Sequence, residues 1–254
     1  MKGVVGIIPA RMKSTRLPGK PLKIIGARPM IQWVYEAVAA SGACERVLVA
    51  TDAGEIVKAV EAFGGEAVMT AETCATGTDR AAEVAAGLSC DVILNVQGDE
   101  PFISPAILCR LAEEMKKDRD LQMGTVAVPL RREEAENPSV VKVVLDAAGH
   151  ALYFSRALIP YPRNLPPAGF WKHLGIYAYR REFLLHYRAL PSCTPEQAES
   201  LEQLRALYHG YRIKVLRAEE DSLGIDTPEE LERARKLADN MGKRGKERGG
   251  ENAS

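Results

Sequence analysis

The sequence of 254 residues lacks several features that mark common classes of protein. It has no excess of either charge, because 34 basic and 34 acidic residues balance. A net charge of zero gives no reason to expect nucleic-acid or membrane-surface binding, so any anion site must be local. No run approaches the roughly 18 apolar residues of a membrane span, and the start MKGVVGIIPARMKS has too short an apolar core for a signal peptide. We therefore expect a soluble cytoplasmic protein that binds neither nucleic acid nor membrane.

Cysteine is also scarce and scattered. The five cysteines are odd in number and form no CxxC pair, so neither a disulfide framework nor a zinc site is indicated. The sequence has no Ser-His-Asp or Cys-His arrangement of the kind that nucleophilic hydrolases use. What it does have is a hydrophobic fraction of 46%, which is ample for a buried core.

Short apolar runs alternate with helical patterns through the first half of the chain. Strands are predicted at 3–8, 46–51, 66–69 and 91–96, and helices at 29–40, 54–63, 79–87 and 105–117. Strands that alternate with helices imply βαβ units and a parallel sheet. Continuous apolar strands imply that helices cover both faces. The predicted fold class is therefore α/β, with three layers in the order α/β/α.

The rhythm changes at Gly124, where strands become more frequent. Strands are predicted at 124–129, 140–145, 151–154, 173–179 and 212–216, and helices at 181–188 and 196–208. The second and third of these strands form a hairpin around a turn at 146–150. Thr227 as N-cap and Pro228 at N1 predict a last helix that runs to about Asn240. The segment 241–254 is Gly-rich and charged, with no apolar face, and is expected to be disordered.

A basic loop follows the first strand at 9–22. Arg11, Lys13, Arg16 and Lys20 fall within ten residues, interrupted by serine, threonine and glycine. Charge alone favours a solvated surface loop over an anion site. The position after the first strand of an α/β sheet reverses that preference, because ligands bind beyond the carboxyl ends of the strands. The loop offers cations and backbone donors that match a triphosphate.

Two acidic positions are candidates for metal binding. A buried strand delivers Asp99 and Glu100 to its carboxyl end, where a carboxylate can hold Mg²⁺ together with phosphate oxygens; the other interpretation is an ordinary turn. Asp226 precedes the N-cap Thr227, and the residues alone favour helix capping and metal binding equally.

The remaining polar signals are weaker. Thr76-Gly77-Thr78-Asp79-Arg80 enters a helix, and it is either an N-cap or a contact to a base or ribose. His150, His186 and His209 are interpreted as structural or solvated. His173 differs because it opens a strand near Tyr177.

Nine stretches together resemble the 3-deoxy-manno-octulosonate cytidylyltransferases. They are IIPARMKSTRLPGKPL, VLVATDA, TGTDRAAEV, ILNVQGDEP, NPSVVKVV, ALYFSRALIPY, HLGIYAYR, ESLEQLRALYHG and GIDTPEELERAR. They occur in the family's order and cover nearly all of 3–238. HLGIYAYR and LEQLR point to the branch that uses 3-deoxy-D-manno-octulosonate (Kdo).

The resemblance implies a Rossmann-like nucleotidyltransferase with a smaller β-rich region that binds sugar and forms a homodimer. The implied divisions are a nucleotide-binding part at 1–123, the β-rich region at 124–216, a return to the nucleotide-binding part at 217–240, and the tail at 241–254. In the family pattern, residues matching Arg11 and Lys20 grip the phosphates of CTP, and residues matching Ala10, Ser14, Thr78 and Arg80 lie around the cytidine. Those matching Asp99 and Asp226 bind Mg²⁺, and those matching Arg16, Gln97, Arg156, His173, Tyr177, Glu202 and Gln203 hold Kdo.

The implied reaction joins CTP and Kdo to give CMP-Kdo and pyrophosphate, which activates Kdo for lipopolysaccharide synthesis. The sugar 2-hydroxyl attacks the α-phosphorus in line, and Arg11, Lys20 and Mg²⁺ stabilise the developing charge, so that Arg11, Lys20 and Asp99 form the catalytic set. Cys74 and Ala53 depart from the family, which usually has a histidine and an acid there. Two alternatives stay open: a nucleotidyltransferase for another sugar acid or base, and a non-catalytic nucleotide-binding protein on the same fold.

Overall fold

The structure is a computed structural model that describes residues 3–14, 16–164 and 169–250, with only the backbone for 242–250. The strands are β1 (Val4–Ala10), β2 (Ile24–Ile25), β3 (Arg28–Pro29), β4 (Arg46–Thr51), β5 (Glu66–Met69), β6 (Val92–Val96), β7 (Met123–Leu130), β8 (Lys142–Leu145), β9 (Ala151–Ser155), β10 (Phe170–Arg180) and β11 (Ile213–Arg217). The helices are α1 (Met30–Ala40), α2 (Gly54–Ala62), α3 (Gly77–Ala86), α4 (Pro105–Lys117), α5 (Arg132–Ala135), α6 (Arg181–Tyr187), α7 (Thr194–Glu199), α8 (Gln203–Tyr208) and α9 (Pro228–Gly250). A single 3₁₀ turn covers Lys20–Leu22.

One mixed sheet organises the described part of the chain. Its order is β11-β7-β10-β6-β1-β4-β5, and the β8–β9 hairpin attaches to β10. The predicted parallel sheet is confirmed for β6, β1, β4 and β5. Strand β10 departs from it, because it runs antiparallel to both β6 and β7. A strand that is buried on both faces has the same apolar pattern whether it runs parallel or antiparallel to its neighbours. The direction of β10 could therefore not be inferred from the sequence.

Helices cover both faces of the sheet, which confirms the three-layer α/β fold. One apolar cluster joins the strands to α1, α2 and α4 through residues such as Val34, Ile56 and Leu108. The other joins the opposite face to α3 and α6, with Ala81 and Phe183 among its members. None of the helices in the described part combines the length and the apolar character needed to cross a bilayer.

The strands of 124–216 do not form a separate sheet. β7, β10 and β11 extend the same sheet that β1, β4, β5 and β6 begin. The strands on the two sides of the predicted boundary at 123/124 therefore belong to one continuous sheet. The hairpin predicted within this range is confirmed, because β8 and β9 pair antiparallel across a turn in which Gly149 takes a φ of 79°.

Two helix predictions need correction. The helix expected at 196–208 is two short helices, α7 and α8, separated at Ser200, whose φ of 51° lies in the left-handed region and cannot continue a right-handed helix. The last helix does not end near Asn240 but continues to Gly250. Lys, Arg and Glu, which are frequent in the sequence after Asn240, are residue types of good helix propensity, and this favours continuation despite the glycines. Residues 251–254 lie outside the described part.

Candidate active site

Most of the side chains predicted to bind nucleotide and metal converge on one cleft at the carboxyl ends of β1 and β6. The cleft has a volume of about 600 Å³, a size that small-molecule sites commonly have. Its walls come from the loop after β1, the start of α3, the end of β6 and the turn before α9. Among the residues predicted from the sequence, those that line it are Ala10, Arg11, Ser14, Arg16, Lys20, Arg80, Gln97, Asp99 and Asp226.

Lys20 joins the two predicted metal ligands. Its Nζ lies 2.5 Å from Oδ2 of Asp99 and 2.9 Å from Oδ1 of Asp226. Arg16 donates to the other oxygen of Asp226, at 2.8 Å. Burial lowers the pKa of Lys20, but the charges and hydrogen bonds of the two aspartates outweigh it and raise that pKa. Burial likewise raises the pKa of Asp226, but Lys20 and Arg16 outweigh it and hold that pKa below its usual value.

Asp99 and Asp226 fit a magnesium site by chemistry and by position. The two carboxylates bracket a single nitrogen atom, at 2.5 and 2.9 Å, so both can reach one small cation. Mg²⁺ is usually bound by one or two carboxylates and completes its shell with phosphate oxygens and water. Within the described part, no group of three or more His, Cys, Asp or Glu residues forms a fuller cage. The pair therefore suits a metal that is shared with substrate phosphates.

The basic loop is held in place by contacts with α9 and by its own backbone. Leu17 is buried in a small apolar cluster with Leu231 and Ala234 of α9. Gly19 takes a φ of 67°, and its N–H donates to the carbonyl of Met12 at 3.2 Å. This left-handed turn, which glycine adopts at low cost, leads directly into the 3₁₀ turn that begins at Lys20. Docking the loop on α9 is what brings Lys20 to Asp226, 206 positions away in the chain.

Two glycines let three segments meet at the floor of the cleft. A Cβ at Gly98 would lie 3.1 Å from the carbonyl oxygen of Pro9. A Cβ at Gly77 would lie 3.1 Å from Cγ of Pro9 and 3.2 Å from Oε1 of Gln97. Side chains at these positions would push β1, β6 and α3 apart.

The start of α3 is both an N-cap and a wall of the cleft. Thr76 and Asp79 form a capping box, in which the Thr76 hydroxyl accepts from the N–H of Asp79 at 3.1 Å. Arg80, only 3% exposed, donates to Asp52 at 2.9 Å and to the hydroxyl of Thr70. Arg80 therefore ties α3 to the ends of β4 and β5. This buried pairing gives it a structural role whether or not it contacts a nucleotide.

Cys74 also lines the cleft. Its thiol donates to Oε2 of Glu83 at 3.1 Å, and the other carboxylate oxygen of Glu83 accepts from the N–H of Ala71 at 2.8 Å. Cys74 thus fastens the loop before α3 to the body of that helix.

Six predicted residues lie outside the lining of the cleft. They are Thr78, Arg156, His173, Tyr177, Glu202 and Gln203. Strand β10 places His173 and Tyr177 close to the end of β6, since a Cβ at Gly175 would lie 3.8 Å from Cγ of Gln97. His173 and Tyr177 therefore form a second, more buried layer beside Gln97.

His173 sits in a buried polar pocket on β10. Its Nε2 lies 3.0 Å from the hydroxyl of Thr125, and its ring lies 4.9 Å from that of Phe154 and 5.4 Å from that of Tyr177, as predicted for residues on one face. The shortest contact of the Thr125 hydroxyl is to the carbonyl of Ile176, at 2.7 Å. That hydroxyl therefore donates to the carbonyl and accepts from the imidazole N–H. Burial lowers the pKa of His173 to about 3, so the ring is neutral at physiological pH.

Glu202, at the start of α8, contacts the start of α3. It is largely buried, and burial raises its pKa although hydrogen bonds from Thr78 and Thr76 act in the opposite direction. Tyr187 donates to its backbone carbonyl at 2.5 Å. Glu202 is therefore not a solvated surface residue.

Arg156 follows β9 and is anchored by backbone carbonyls. Its Nε donates to the carbonyl of Glu199 at 2.8 Å, and an amino group donates to that of Pro138 at 3.2 Å. Lys142, fully buried, donates to the carbonyls of Arg156 and Val140 at 2.5 and 2.7 Å. Lys142 was not singled out from the sequence, although a lysine inside the apolar stretch VVKVV is a signal that could have found it.

Asn95 is the other residue that the sequence reasoning missed. It is fully buried, and neither its amide oxygen nor its amide nitrogen has a hydrogen-bond partner within the described part of the chain. It pairs across the sheet with Tyr177, so the two side chains share a face. The Nε2 atom of Gln203 is likewise buried without a partner among the described residues. An asparagine in the middle of the apolar strand VILNV was the available signal.

Comparisons with known proteins agree with this geometry. A family model described as cytidylyltransferase matches residues 5–214. The 3-deoxy-manno-octulosonate cytidylyltransferase of Syntrophotalea carbinolica is 48% identical over 240 residues, which cover 91% of this chain and 96% of the relative. The enzyme of that name from Escherichia coli is 47% identical over 237 residues, covering 93% and 96%.

Solved structures give the same result. The structure of CMP:2-keto-3-deoxy-manno-octonic acid synthetase complexed with CTP superposes with a TM-score of 0.91 at 46% identity, covering 94% of this chain and 99% of that one. The 4-diphosphocytidyl-2C-methyl-D-erythritol synthase of Anaerococcus prevotii, at 15% identity and a TM-score of 0.62, shares the fold alone. The family model and the close relatives together show that the chain belongs to the cytidylyltransferase family, and within it to the 3-deoxy-manno-octulosonate cytidylyltransferases.

Proposed function

We propose that this enzyme transfers CMP from CTP to Kdo, releasing pyrophosphate and forming CMP-Kdo. The observation that carries the proposal is the agreement between two facts. Relatives of 46–49% identity that span nearly the whole chain bear this activity in their names. The chain also assembles Lys20, Asp99 and Asp226 in one cleft at the sheet edge where such a reaction belongs.

Arg11 and Lys20 are the residues we assign to the triphosphate. Both line the cleft. Arg11 is exposed and Lys20 is mostly buried, so the two cations can reach a phosphate chain from the mouth and from the floor. Attack of the sugar 2-hydroxyl on the α-phosphorus places new charge on the leaving pyrophosphate. Fixed cations that contact this charge stabilise the transition state.

Asp99 and Asp226 are the residues we assign to Mg²⁺. Bound there, the ion would neutralise phosphate charge and lower the pKa of the attacking sugar hydroxyl. With that assistance no side chain has to act as a dedicated base. The two aspartates would hold the ion in the cleft.

We assign the sugar to the layer beside Gln97. Arg16 and Arg156 are the cations available for the Kdo carboxylate, while His173, Tyr177 and Gln203 supply neutral groups for its hydroxyls. The Nε2 of Gln203 is buried without a partner among the described residues, which supports this assignment, because a desolvated donor gains most when a ligand pairs with it.

A pyrophosphate-release assay with defined substrates tests the proposal. We expect release only when CTP, Kdo and Mg²⁺ are all present, and CMP-Kdo as the other product. ATP, GTP or UTP in place of CTP, and N-acetylneuraminate in place of Kdo, test for another base or sugar acid. A non-catalytic protein on this fold would bind CTP without releasing pyrophosphate. Efficient release with another nucleotide or another sugar acid would contradict the proposal, and so would CTP binding without any release.

The cellular setting is a further part of the proposal. We expect the enzyme to act in the cytoplasm and to supply activated Kdo for lipopolysaccharide synthesis. We also expect a homodimer, because β9 exposes two large apolar side chains, Leu152 and Tyr153, at 59% and 38% of their surface. Light scattering coupled to gel filtration measures the oligomeric state directly, and a monomer at micromolar concentration would refute this part.

A further inference from the structure

Lys20 has different partners in the structure from those that its proposed role requires. In the reaction, Lys20 contacts the phosphates of CTP. In the structure, its ammonium group lies between Asp99 and Asp226, at 2.5 and 2.9 Å. These are the same carboxylates that fit the metal.

The carboxylates are largely neutralised by the chain itself. Asp226 uses one oxygen to accept from Lys20 and the other to accept from Arg16, at 2.8 Å. Asp99 accepts from Lys20 through Oδ2. Two anions are thus matched by two cations. A divalent ion that entered this arrangement would meet two positive groups at close range, in a place where Lys20 is only 15% exposed and solvent screening is reduced.

The lysine can leave without moving the backbone. The loop around it is fixed by the left-handed turn at Gly19 and by Pro21, which is buried. The four-carbon stem of lysine is flexible, and Arg11, Ser14 and Arg16 line the same cleft. The ammonium can therefore rotate from the carboxylates towards a phosphate chain in the cleft.

We propose that Lys20 is an internal counterion that occupies the metal-binding carboxylates until a triphosphate draws it away. The phosphates take Lys20, and the carboxylates that it releases take the metal. Nucleotide and metal therefore bind interdependently, and each raises the affinity for the other. Arg16 contributes in the same way at Asp226, but less strongly, because its side chain is 61% exposed. This inference rests on the proposed function for the identity of the triphosphate and for the assignment of the metal to Asp99 and Asp226.

Titration of the free protein with Mn²⁺, followed by the electron paramagnetic resonance signal of the unbound ion, tests the proposal without substrate. Lys20→Met keeps the length of the side chain and removes its charge. We expect it to bind Mn²⁺ about tenfold more tightly than the wild type, the factor expected when one charge-assisted contact stops competing. Lys20→Gln should act in the same direction and serves as a second variant if Lys20→Met folds poorly. Arg16→Gln should give a smaller gain.

Two controls locate the effect. Lys23→Met removes the same charge three residues further along the loop, and it should leave Mn²⁺ affinity at the wild-type value. Adding Asp99→Asn to Lys20→Met should abolish the gain, because one of the released carboxylates is lost. Wild-type Mn²⁺ affinity in both Lys20 variants would overturn the proposal, and so would a gain that survives Asp99→Asn. Failure of the wild type to release pyrophosphate from CTP and Kdo would refute the proposed reaction instead, since the titration contains neither substrate.

Discussion

His173 makes the stability of this protein depend on pH in a way that can be calculated from its surroundings. The side chain is 9% exposed, and its Nε2 donates to the Thr125 hydroxyl. Burial lowers its pKa from 6.5 to about 3. As the pH falls, the unfolded chain therefore binds a proton at this position at a much higher pH than the folded protein does. Stability from this group is fully present above pH 6.5 and is lost as the pH falls towards 3.

The size of the effect follows from these two pKa values. At pH 5 the unfolded imidazole is almost fully protonated and the folded one is almost fully neutral. The difference costs about 2 kcal/mol of unfolding free energy relative to pH 7.5, when each pKa unit counts about 1.36 kcal/mol. Glu100 acts in the opposite direction. Burial, followed by the charge of Asp99, raises its pKa from 4.5 to about 7, so the folded state is favoured as the pH falls from 7 towards 4.5. Only a comparison of variants separates the two contributions.

The assay is urea unfolding at pH 7.5 and at pH 5.0, followed by circular dichroism. His173→Gln removes the titrating group and can keep a donor for the Thr125 hydroxyl. We expect the variant to lose about 2 kcal/mol less than the wild type between the two pH values. His186→Gln, on the exposed side of α6, is the matched control and should lose as much as the wild type. Equal losses in the wild type and in His173→Gln would refute a buried, neutral His173.

The remaining predictions concern activity. Asp99→Asn or Asp226→Asn should lower turnover by orders of magnitude without loss of fold, and near-normal turnover at saturating Mg²⁺ would remove that residue from the metal site. Lys20→Ala should lower kcat/KM for CTP by roughly 10²–10³-fold, the scale for losing one charge-stabilising donor; unchanged steady-state kinetics with CTP would show that the cation does not contact the phosphates. Gln203→Ala should raise KM for Kdo much more than KM for CTP, and the reverse pattern would place the residue in the nucleotide half. Truncation after Asn240 should leave the melting temperature and activity nearly unchanged, because the positions of α9 whose burial is described, Leu231, Ala234 and Ala238, all precede it. A clear drop in either would show that the removed turns pack against the protein.

The strands and helices of the first half could be predicted because only one arrangement of the short apolar runs buries them well. Four short runs, separated by helical patterns, can satisfy their backbone and bury both faces only as parallel strands beneath helices. The predicted bounds 46–51 and 66–69 match β4 and β5 as observed. The amphipathic stretch 196–208 was harder. Its apolar spacing continues through Ser200. The break depends on the positive φ of Ser200, which the residue types around it do not predict.

The sequence predicted which residues form the candidate site, but it did not predict which of them contact each other. The residue patterns marked Lys20, Asp99 and Asp226 as candidates, the family resemblance assigned their roles, and the order of strands placed their segments at one edge. Nothing in the sequence indicated that the lysine bridges the two aspartates, because that contact spans 79 and 206 positions and depends on how the basic loop packs on α9. Ion pairs of this kind depend on tertiary packing, whereas the periodicity that predicts strands and helices is a local property of the sequence.

The two halves of the site differ in their electrostatics, and the difference matches the two substrates that we propose. On the phosphate side, Lys20 and Asp226 are charged groups that already have partners, so binding there exchanges one ionic contact for another. On the sugar side, His173 is neutral and Gln203 has a buried amide nitrogen without a partner among the described residues. An exchange of ionic partners tolerates the highly charged triphosphate with little net desolvation. Buried neutral polar groups discriminate by hydroxyl position instead, because a sugar that fails to pair with them leaves a desolvated group unsatisfied. We therefore expect selectivity between sugar acids to reside in the buried layer on β10 and α8, and affinity for the nucleotide to reside in the basic loop.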